Sequence, residues 1–198
     1  QLCDILFQRA EIAFLEGALD DGVIPLCAAL AAQEHGDARR ALDLLRVSGE
    51  IADRDEAEGV TEKHVKIAQA KIETDSMVEC IATLPTQSKI VLYSMMLLDQ
   101  MGQNIFTSGE VSKIYKEIAP AMDLDILTHR RITDLISELN MLGVINTRVV
   151  SRGRYGRTKE MWFDSNNHKI RDVILSDPRL SAHGLEKMDV TWVKTLFR

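Results

Sequence analysis

The order of secondary-structure elements after Leu84-Pro85 restricts the fold of this chain more than any other feature. Apolar residues at helical spacing predict three helices, at 88–100, 107–118 and 128–142. Two short β-prone runs follow, at 144–150 and 161–164. The segment between them contains two glycines, which is typical of the tip of a long hairpin. The sequence therefore predicts three helices followed by a hairpin.

Local capping signals support this order. Thr107 and Glu110 have the spacing of a capping box, and Thr128 can cap the third helix. Gly143 stands where a left-handed C-terminal cap belongs. Three helices and a hairpin form a winged helix, which is a helix-turn-helix with a β-hairpin wing. A further helix at 168–175 is predicted to begin a C-terminal helical tail.

The part of the chain before Leu84-Pro85 predicts helices only. Four are indicated: one that Asp4 can cap and that stops at Gly17, and others at 26–34, 37–52 and 61–81. We expect a mainly α protein with two domains, a helical one at 1–84 and a winged helix with its tail at 85–198.

Charge is distributed unevenly over these two parts. The whole chain carries −6, but residues 1–84 hold 8 Lys/Arg and 17 Asp/Glu (−9), and residues 85–198 hold 16 and 13 (+3). The segment 148–159 contains five basic side chains and no acid. Because a basic segment favours contact with phosphates, we expect the second domain to bind DNA.

The third helix and the wing supply the candidate DNA contacts. In a winged helix the third helix enters the major groove by its first turn, and the hairpin reaches a neighbouring groove or the backbone. For the helix alone, a solvated surface with an Arg130–Asp134 pair is an equal alternative. The wing, with its glycines and close-set cations, favours DNA. The predicted contacts are Thr128, His129, Arg130, Arg131 and Thr133 of the helix, and Arg152, Gly153, Arg154, Tyr155, Gly156, Arg157 and Lys159 of the wing.

Enzymatic and metal-binding motifs are missing from the sequence. Five histidines show no HExxH spacing, and the three cysteines are widely separated and predicted to be core residues. Neither GxSxG nor the phosphate loop GxxxxGK[ST] occurs. We therefore predict no catalytic residue, no metal site and no bound cofactor in this chain. Its apolar runs also fall short of a membrane span, so we expect no membrane partner.

The segment 36–46, Gly-Asp-Ala-Arg-Arg-Ala-Leu-Asp-Leu-Leu-Arg, is the other informative stretch. By itself it is an ordinary capped helix with a possible Arg39–Asp43 pair. Together with Asp-Ile-Leu at 4–6, Glu-Ile-Ala at 50–52 and the winged helix, it resembles the sensor-2 motif of AAA+ ATPases. The form is that of archaeal replication initiators of the origin-recognition and cell-division-control family.

This resemblance implies a longer protein with an upstream ATPase domain, a helical AAA+ lid and a winged helix, of which this chain has the last two. It implies that Arg39, and less strongly Arg40, reaches the terminal phosphate of ATP or ADP, bound with Mg in the longer protein. The implied partners are double-stranded origin DNA and a replicative helicase. The resemblance also implies that this chain is monomeric and that it lies in the cytoplasm, associated with the nucleoid. This chain should not hydrolyse ATP by itself.

Two other functions compete with origin binding. A winged-helix transcriptional regulator would use the helical half for dimerisation or effector binding, and would form a two-fold dimer on a palindrome. A protein-interaction module would use the winged helix without DNA, and the acidic first half is compatible with that.

Overall fold

The structure is a computed structural model, and it describes residues 1–34, 36–151, 153, 157–163 and 167–196. The chain divides into two compact units, Gln1–Ser76 and Met77–Arg198. This division lies upstream of Leu84-Pro85, inside a helix. Met77, Cys80 and Ile81 belong to the second hydrophobic core, so the last turns of that helix belong to the second unit. Independent folding of 1–84 and 85–198 stays a prediction.

Helices form the first unit, as predicted. They are α1 (Leu2–Ala13), α2 (Val23–Glu34), α3 (Ala38–Arg54) and α4 (Glu62–Thr83), the last of which continues into the second unit. Asp37 caps α3 as predicted, accepting a hydrogen bond from the Arg39 amide at 2.9 Å. The prediction that Asp4 caps the first helix was wrong, because α1 begins at Leu2 and places Asp4 in its first turn.

The first unit has its own core. Apolar residues of α1, α2 and α3 pack together, and Leu6, Cys27 and Leu44 have no exposed surface. Burial raises the pKa of the Cys27 thiol to about 11, so the thiol stays protonated at neutral pH. All three cysteines are free, and Cys27 is a core residue as predicted.

The second unit contains the predicted winged helix. Its elements are α5 (Thr86–Gln100), β1 (Phe106–Thr107), α6 (Ser108–Ala121), α7 (His129–Met141), β2 (Asn146–Ser151) and β3 (Arg157–Trp162). The strands form an antiparallel sheet in the order β1-β3-β2. The β3 strand begins at Arg157, earlier than predicted, because its residues pair with β2 from Ser151 back to Asn146.

The predicted caps of the winged helix are confirmed. The Thr107 amide donates to the Glu110 carboxylate at 2.7 Å, and the Glu110 amide donates to the Thr107 hydroxyl at 3.4 Å. Thr128 caps α7 by accepting from the Arg131 amide at 3.3 Å. Gly143 has a φ of 70°, the left-handed conformation that a non-glycine residue rarely adopts.

Helix α5 differs from the amphipathic helix that the sequence predicts. Every residue from Ser88 to Leu98 is buried. Helices α6 and α7, with the strand β1, pack against α5, and two tail helices, α8 (Asn167–Leu175) and α10 (Val190–Leu196), do so as well. With neighbours on several sides, α5 has no solvated face, and its polar residues must find partners within the protein.

A buried ion pair attaches the tail to α5. The Lys89 ammonium donates to Asp177 Oδ2 at 2.6 Å and to the Ala82 carbonyl at 2.8 Å. Asp177 also caps α9 (Pro178–Ala182) by accepting from the Arg179 amide at 3.0 Å. The Lys89 hydrogen bond holds the pKa of the Asp177 carboxyl below its ordinary value of 3.8. The tail is therefore an integral part of the second unit.

Replacing Lys89 by Met should destabilise the second unit by about 1–3 kcal/mol at pH 7, because the partly buried Asp177 carboxylate loses its cation and a charged hydrogen bond. Since the pKa of Asp177 is lowered in the folded state, its contribution is present above pH 3.8 and is lost as the pH falls through the folded pKa. Urea unfolding of both proteins at neutral pH and near pH 3 measures this, and the difference between them should shrink at the lower pH.

Asp177→Asn is the matched control, because an amide oxygen can still cap α9 but carries no charge. In the Lys89→Met background, Asp177→Asn should recover part of the lost stability. A Lys89→Met protein as stable as the parent at pH 7 would contradict the role of the pair.

Candidate nucleic-acid interface

Helix α7 has one buried and one exposed side. Ile132, Leu135, Ile136 and Leu139 are buried in the second core, at the spacing the sequence predicts. The predicted contact residues lie on the other side: Thr128, His129, Arg130 and Arg131 are exposed, and Thr133 is half-buried. The first turn of α7 therefore presents two guanidinium groups and a capped helix N-terminus to solvent.

The two arginines of this turn differ in their surroundings. Arg131 lies 3.5 Å from Glu138, and both side chains are about half exposed, so the pair contributes little to stability. No Arg130–Asp134 ion pair occurs within the part of the chain that the structure describes. Arg130 is therefore exposed without that pair, and its role as a DNA contact stays a prediction.

The hairpin has two faces, and one of them adjoins α7. Cross-strand register places Arg157, Lys159 and Met161 on the same face, since side chains alternate along a strand. Met161 is buried in the core, and the Lys159 ammonium donates a short hydrogen bond to the Ser137 hydroxyl of α7. Arg157 is exposed at the start of β3. This face of the hairpin thus adjoins α7, and we call it, together with the exposed side of α7, the helix–wing surface.

Arg148 belongs to the opposite face of the hairpin. Its guanidinium donates to Glu160 Oε2 through Nε at 2.9 Å and lies 2.8 Å from the same oxygen through Nη2. It also stands 5.8 Å from the centre of the Trp162 ring, within cation–π range. The five cations of segment 148–159 therefore do not share one surface, because strand alternation directs Arg148 away from α7.

The predicted wing tip is described only in part. Gly153 is exposed and has a φ of 58°, as a tight turn requires. Four other predicted contacts, Arg152, Arg154, Tyr155 and Gly156, lie outside the described residues.

A buried hydroxyl fixes the turn that leads into α7. The Tyr115 hydroxyl donates to Gln87 Oε1 at 2.5 Å and accepts from the Leu127 amide at 3.3 Å. The Gln87 amide in turn donates to the Asp125 carbonyl at 3.1 Å. Burial is the main reason that the pKa of Tyr115 is raised, so the hydroxyl keeps its proton. Gln87 and Tyr115 thereby position the start of α7.

Sequence reasoning missed these positioning residues. Tyr115 matches the apolar pattern of α6, and Gln87 resembles any polar residue of a helix start. Their partnership spans 28 positions of sequence, which no local pattern reveals. Ser137 looks like an ordinary polar residue of α7, and its bond to Lys159 also depends on tertiary packing.

The sensor-like segment opens α3 in the first unit. Arg39 is exposed, and no ion pair of Arg39 occurs among the described residues. The Arg39–Asp43 pair considered from the sequence is absent there too, because Asp43 lies 3.5 Å from Arg46, which also bonds Glu50. Arg40 pairs with Glu34 at 2.8 Å and is largely covered. Arg46 is exposed as well but is paired, so Arg39 is the exposed arginine of this segment that has no ion pair among the described residues.

Within the described residues, no group of His, Cys, Asp or Glu could hold a metal ion. No helix of that part of the chain is long and apolar enough to cross a membrane.

Comparison with known protein families agrees with this division of the chain. A model described as the Cdc6 AAA+ ATPase-type lid domain matches residues 3–70, and one described as the CDC6 C-terminal winged helix domain matches residues 79–173. The chain belongs to the Cdc6 family. Its helical unit is a lid of the AAA+ type, and its winged helix is of the Cdc6 type rather than that of a transcriptional regulator.

Two similar relatives are longer proteins. The chain is 74% identical over its whole length to an ORC1-type DNA replication protein of Methanoregula boonei and also to one of Methanoculleus marisnigri. It spans about half the length of these relatives, 47% and 46%. Among solved structures, the chain is similar to that of the Aeropyrum pernix ORC1 protein in complex with DNA, with a TM-score of 0.78 and 50% sequence identity. The match covers 92% of this chain and 47% of the Aeropyrum pernix chain.

Tyr115→Phe should loosen the entry to α7, because the ring still packs but the Leu127 amide and the Gln87 carbonyl lose their partner. We expect a stability cost of about 1 kcal/mol and faster hydrogen exchange of the backbone amides at 127–131.

Tyr93→Phe is the matched control. The Tyr93 hydroxyl donates to the Leu185 and Met188 carbonyls of the tail, at 3.4 and 3.3 Å. This variant should lose similar stability without changing exchange at 127–131. Equal exchange at 127–131 in both variants would refute the positioning role of Tyr115.

Proposed function

We propose that this chain is the DNA-binding C-terminal part of an AAA+ replication initiator and that it binds double-stranded origin DNA through the helix–wing surface. The observation that carries the proposal is the junction of α7 and the hairpin, where Lys159 bonds Ser137. This bond brings two basic elements to one side of the domain. A protein that is 50% identical to this chain over the part that matches is described in complex with DNA, which supports the same role here.

The two elements have different tasks in this proposal. The first turn of α7 enters the major groove, where exposed Arg130 and Arg131 can read guanine edges with two hydrogen bonds each. Arg157 and the arginines of the wing tip contact phosphates or a minor groove, which gives affinity without sequence information. Lys159 has two roles in this proposal. It contacts DNA, and its bond to Ser137 orients the wing against α7.

Arg157→Ala should weaken binding to every duplex and reduce the slope of log K against log salt by roughly one unit for the lost phosphate contact. Arg130→Ala should instead reduce the preference for an origin duplex over a random one, by on the order of 1–3 kcal/mol if the contact is bidentate. Fluorescence anisotropy titrations with both duplexes at several salt concentrations measure these effects.

Arg148→Ala is the control for charge alone. It removes one cation from the same hairpin, but from the face opposite α7, where Glu160 neutralises it. Binding by this variant should stay within about twofold of the parent. If replacing Arg152, Arg154 and Arg157 together by Ala left all duplex affinities unchanged, the wing would not contact DNA, and a protein-interaction role for the winged helix would replace this proposal.

We further propose that Arg39 serves nucleotide binding in the longer protein. The residue fits the task, since it is an exposed guanidinium without an ion pair among the described residues, on the first turn of α3. ATP or ADP, with Mg, would bring phosphates whose charge an arginine neutralises. Arg40 is a weaker candidate because Glu34 already holds it. We also propose that the 198-residue chain is a monomer and that the longer protein docks to a replicative helicase.

The 198-residue chain should not hydrolyse ATP, because its sequence has no phosphate loop. In a longer protein with an upstream ATPase domain, Arg39→Ala should lower the nucleotide affinity and the rate of ATP hydrolysis about tenfold or more. Nucleotide titrations and hydrolysis assays measure these two quantities.

Arg46→Ala is the control on the same helix, because Arg46 is already bound to Glu50 and Asp43. It should leave nucleotide affinity nearly unchanged. Hydrolysis by the 198-residue chain, or equal losses in the two variants, would contradict the role given to Arg39.

A further inference from the structure

A groove on the first unit has an apolar floor that is open to solvent. It lies between the end of α1, the loop that follows it and the start of α2, and its volume is about 500 Å³. Phe7, Phe14, Leu15 and Leu19 line it. Phe7 is 52% exposed and Leu15 is 85% exposed. Adjoining apolar side chains that stay in water are typical of a binding surface.

The backbone holds this groove in a fixed shape. Gly17, with a φ of 76°, turns the chain after α1 and leaves Leu15 at the surface. The loop is then tied down, because the Asp20 amide donates to the Val60 carbonyl at 3.0 Å and the Val60 amide donates to the Ala18 carbonyl at 2.8 Å. The groove therefore needs little ordering when a ligand binds.

Phe14 is held at the bottom of the groove by close packing on α3. A Cβ atom added at Gly49 would stand 2.8 Å from Phe14 Cε1, so glycine is needed for this approach. Phe14 is only partly exposed, which makes it a floor residue, whereas Phe7 and Leu15 stand at the edges.

The polar rim of the groove carries one sign of charge. Glu11, Glu16, Asp20 and Asp21 line it, all four are exposed, and no Lys or Arg is among its lining residues. No ion pair of these four carboxylates occurs within the described residues. They stand in the half of the chain that carries −9. Their common field attracts cations and repels the phosphates of nucleic acid.

We propose that this groove is a docking site for a basic amphipathic segment of a protein partner. Two apolar side chains of the segment cover Phe7 and Leu15, and Lys or Arg residues on either side of them pair with the carboxylates of the rim. Charge complementarity identifies this partner chemistry, since an acidic segment or DNA would meet four negative charges. The site is separate from the helix–wing surface, which lies in the other unit.

The test uses the 198-residue chain and two fluorescein-labelled helical peptides, one of leucine and lysine and one of leucine and glutamate. The lysine peptide should bind, and the glutamate peptide should bind at least about tenfold more weakly. Leu15→Ser and Phe7→Ser should each weaken the lysine peptide about tenfold, since each removes a large apolar contact. Ile12→Ser is the control, because Ile12 is 80% exposed but does not line the groove, and it should change binding less than twofold.

A second pair of variants separates the rim from net charge. The first variant changes Glu11, Glu16, Asp20 and Asp21 to their amides. The second makes the same change at Asp53, Asp55, Glu56 and Glu58, which lie at the end of α3 and just after it and do not line this groove. Both raise the net charge equally. Only the rim variant should lose the preference for the lysine peptide, and thermal unfolding should confirm that both variants fold.

Three results would overturn the proposal. Equal losses in the two amide variants would show attraction by net charge alone. Self-association of the chain that Leu15→Ser abolishes would show that a second copy occupies the groove. Failure of the lysine peptide to bind a longer protein with an upstream domain, when it binds the 198-residue chain, would show that this domain covers the groove.

Discussion

The complete burial of α5 is the constraint on which the second unit depends. A helix without a solvated face needs neighbours all round, and here α6, α7, β1 and two helices of the tail supply them. Its polar groups must then be satisfied internally, which explains why Lys89 bonds Asp177 and Ala82, and why Ser94 donates to the Ile90 carbonyl at 2.8 Å. The tail completes this core and is more than an appendage of the winged helix.

The same helix connects the core to the candidate nucleic-acid interface. Gln87, in the first turn of α5, reaches both the Tyr115 hydroxyl and the Asp125 carbonyl, and this fixes the chain just before α7. A recognition helix must hold its side chains in a precise position, and a turn anchored by buried hydrogen bonds provides this better than a free loop. At the other side of α7, Ser137 orients the hairpin through Lys159.

Charge separates the roles of the two units. The helix–wing surface gathers cations because strand alternation places Arg157 and Lys159 beside α7, while Arg148 is neutralised by Glu160 on the opposite face. The lid unit has the opposite balance, with an acidic rim around exposed Phe7 and Leu15. In the two proposals, DNA binds to one unit and a basic protein segment to the other, although the net charge of −6 indicates neither.

Local signals in the sequence determined the helices, the Thr107, Thr128 and Gly143 caps and the hairpin, because periodicity, capping and turn chemistry act over a few neighbouring residues. The family was indicated by the resemblance of segment 36–46 to the sensor-2 motif. The motif also predicted Arg39 as the candidate nucleotide contact. Only the tertiary structure decided that α5 is buried, that β1 joins the sheet and that Tyr115 positions α7. It also decided which face of the hairpin each cation occupies. These features depend on contacts between residues far apart in the chain, which local patterns do not encode.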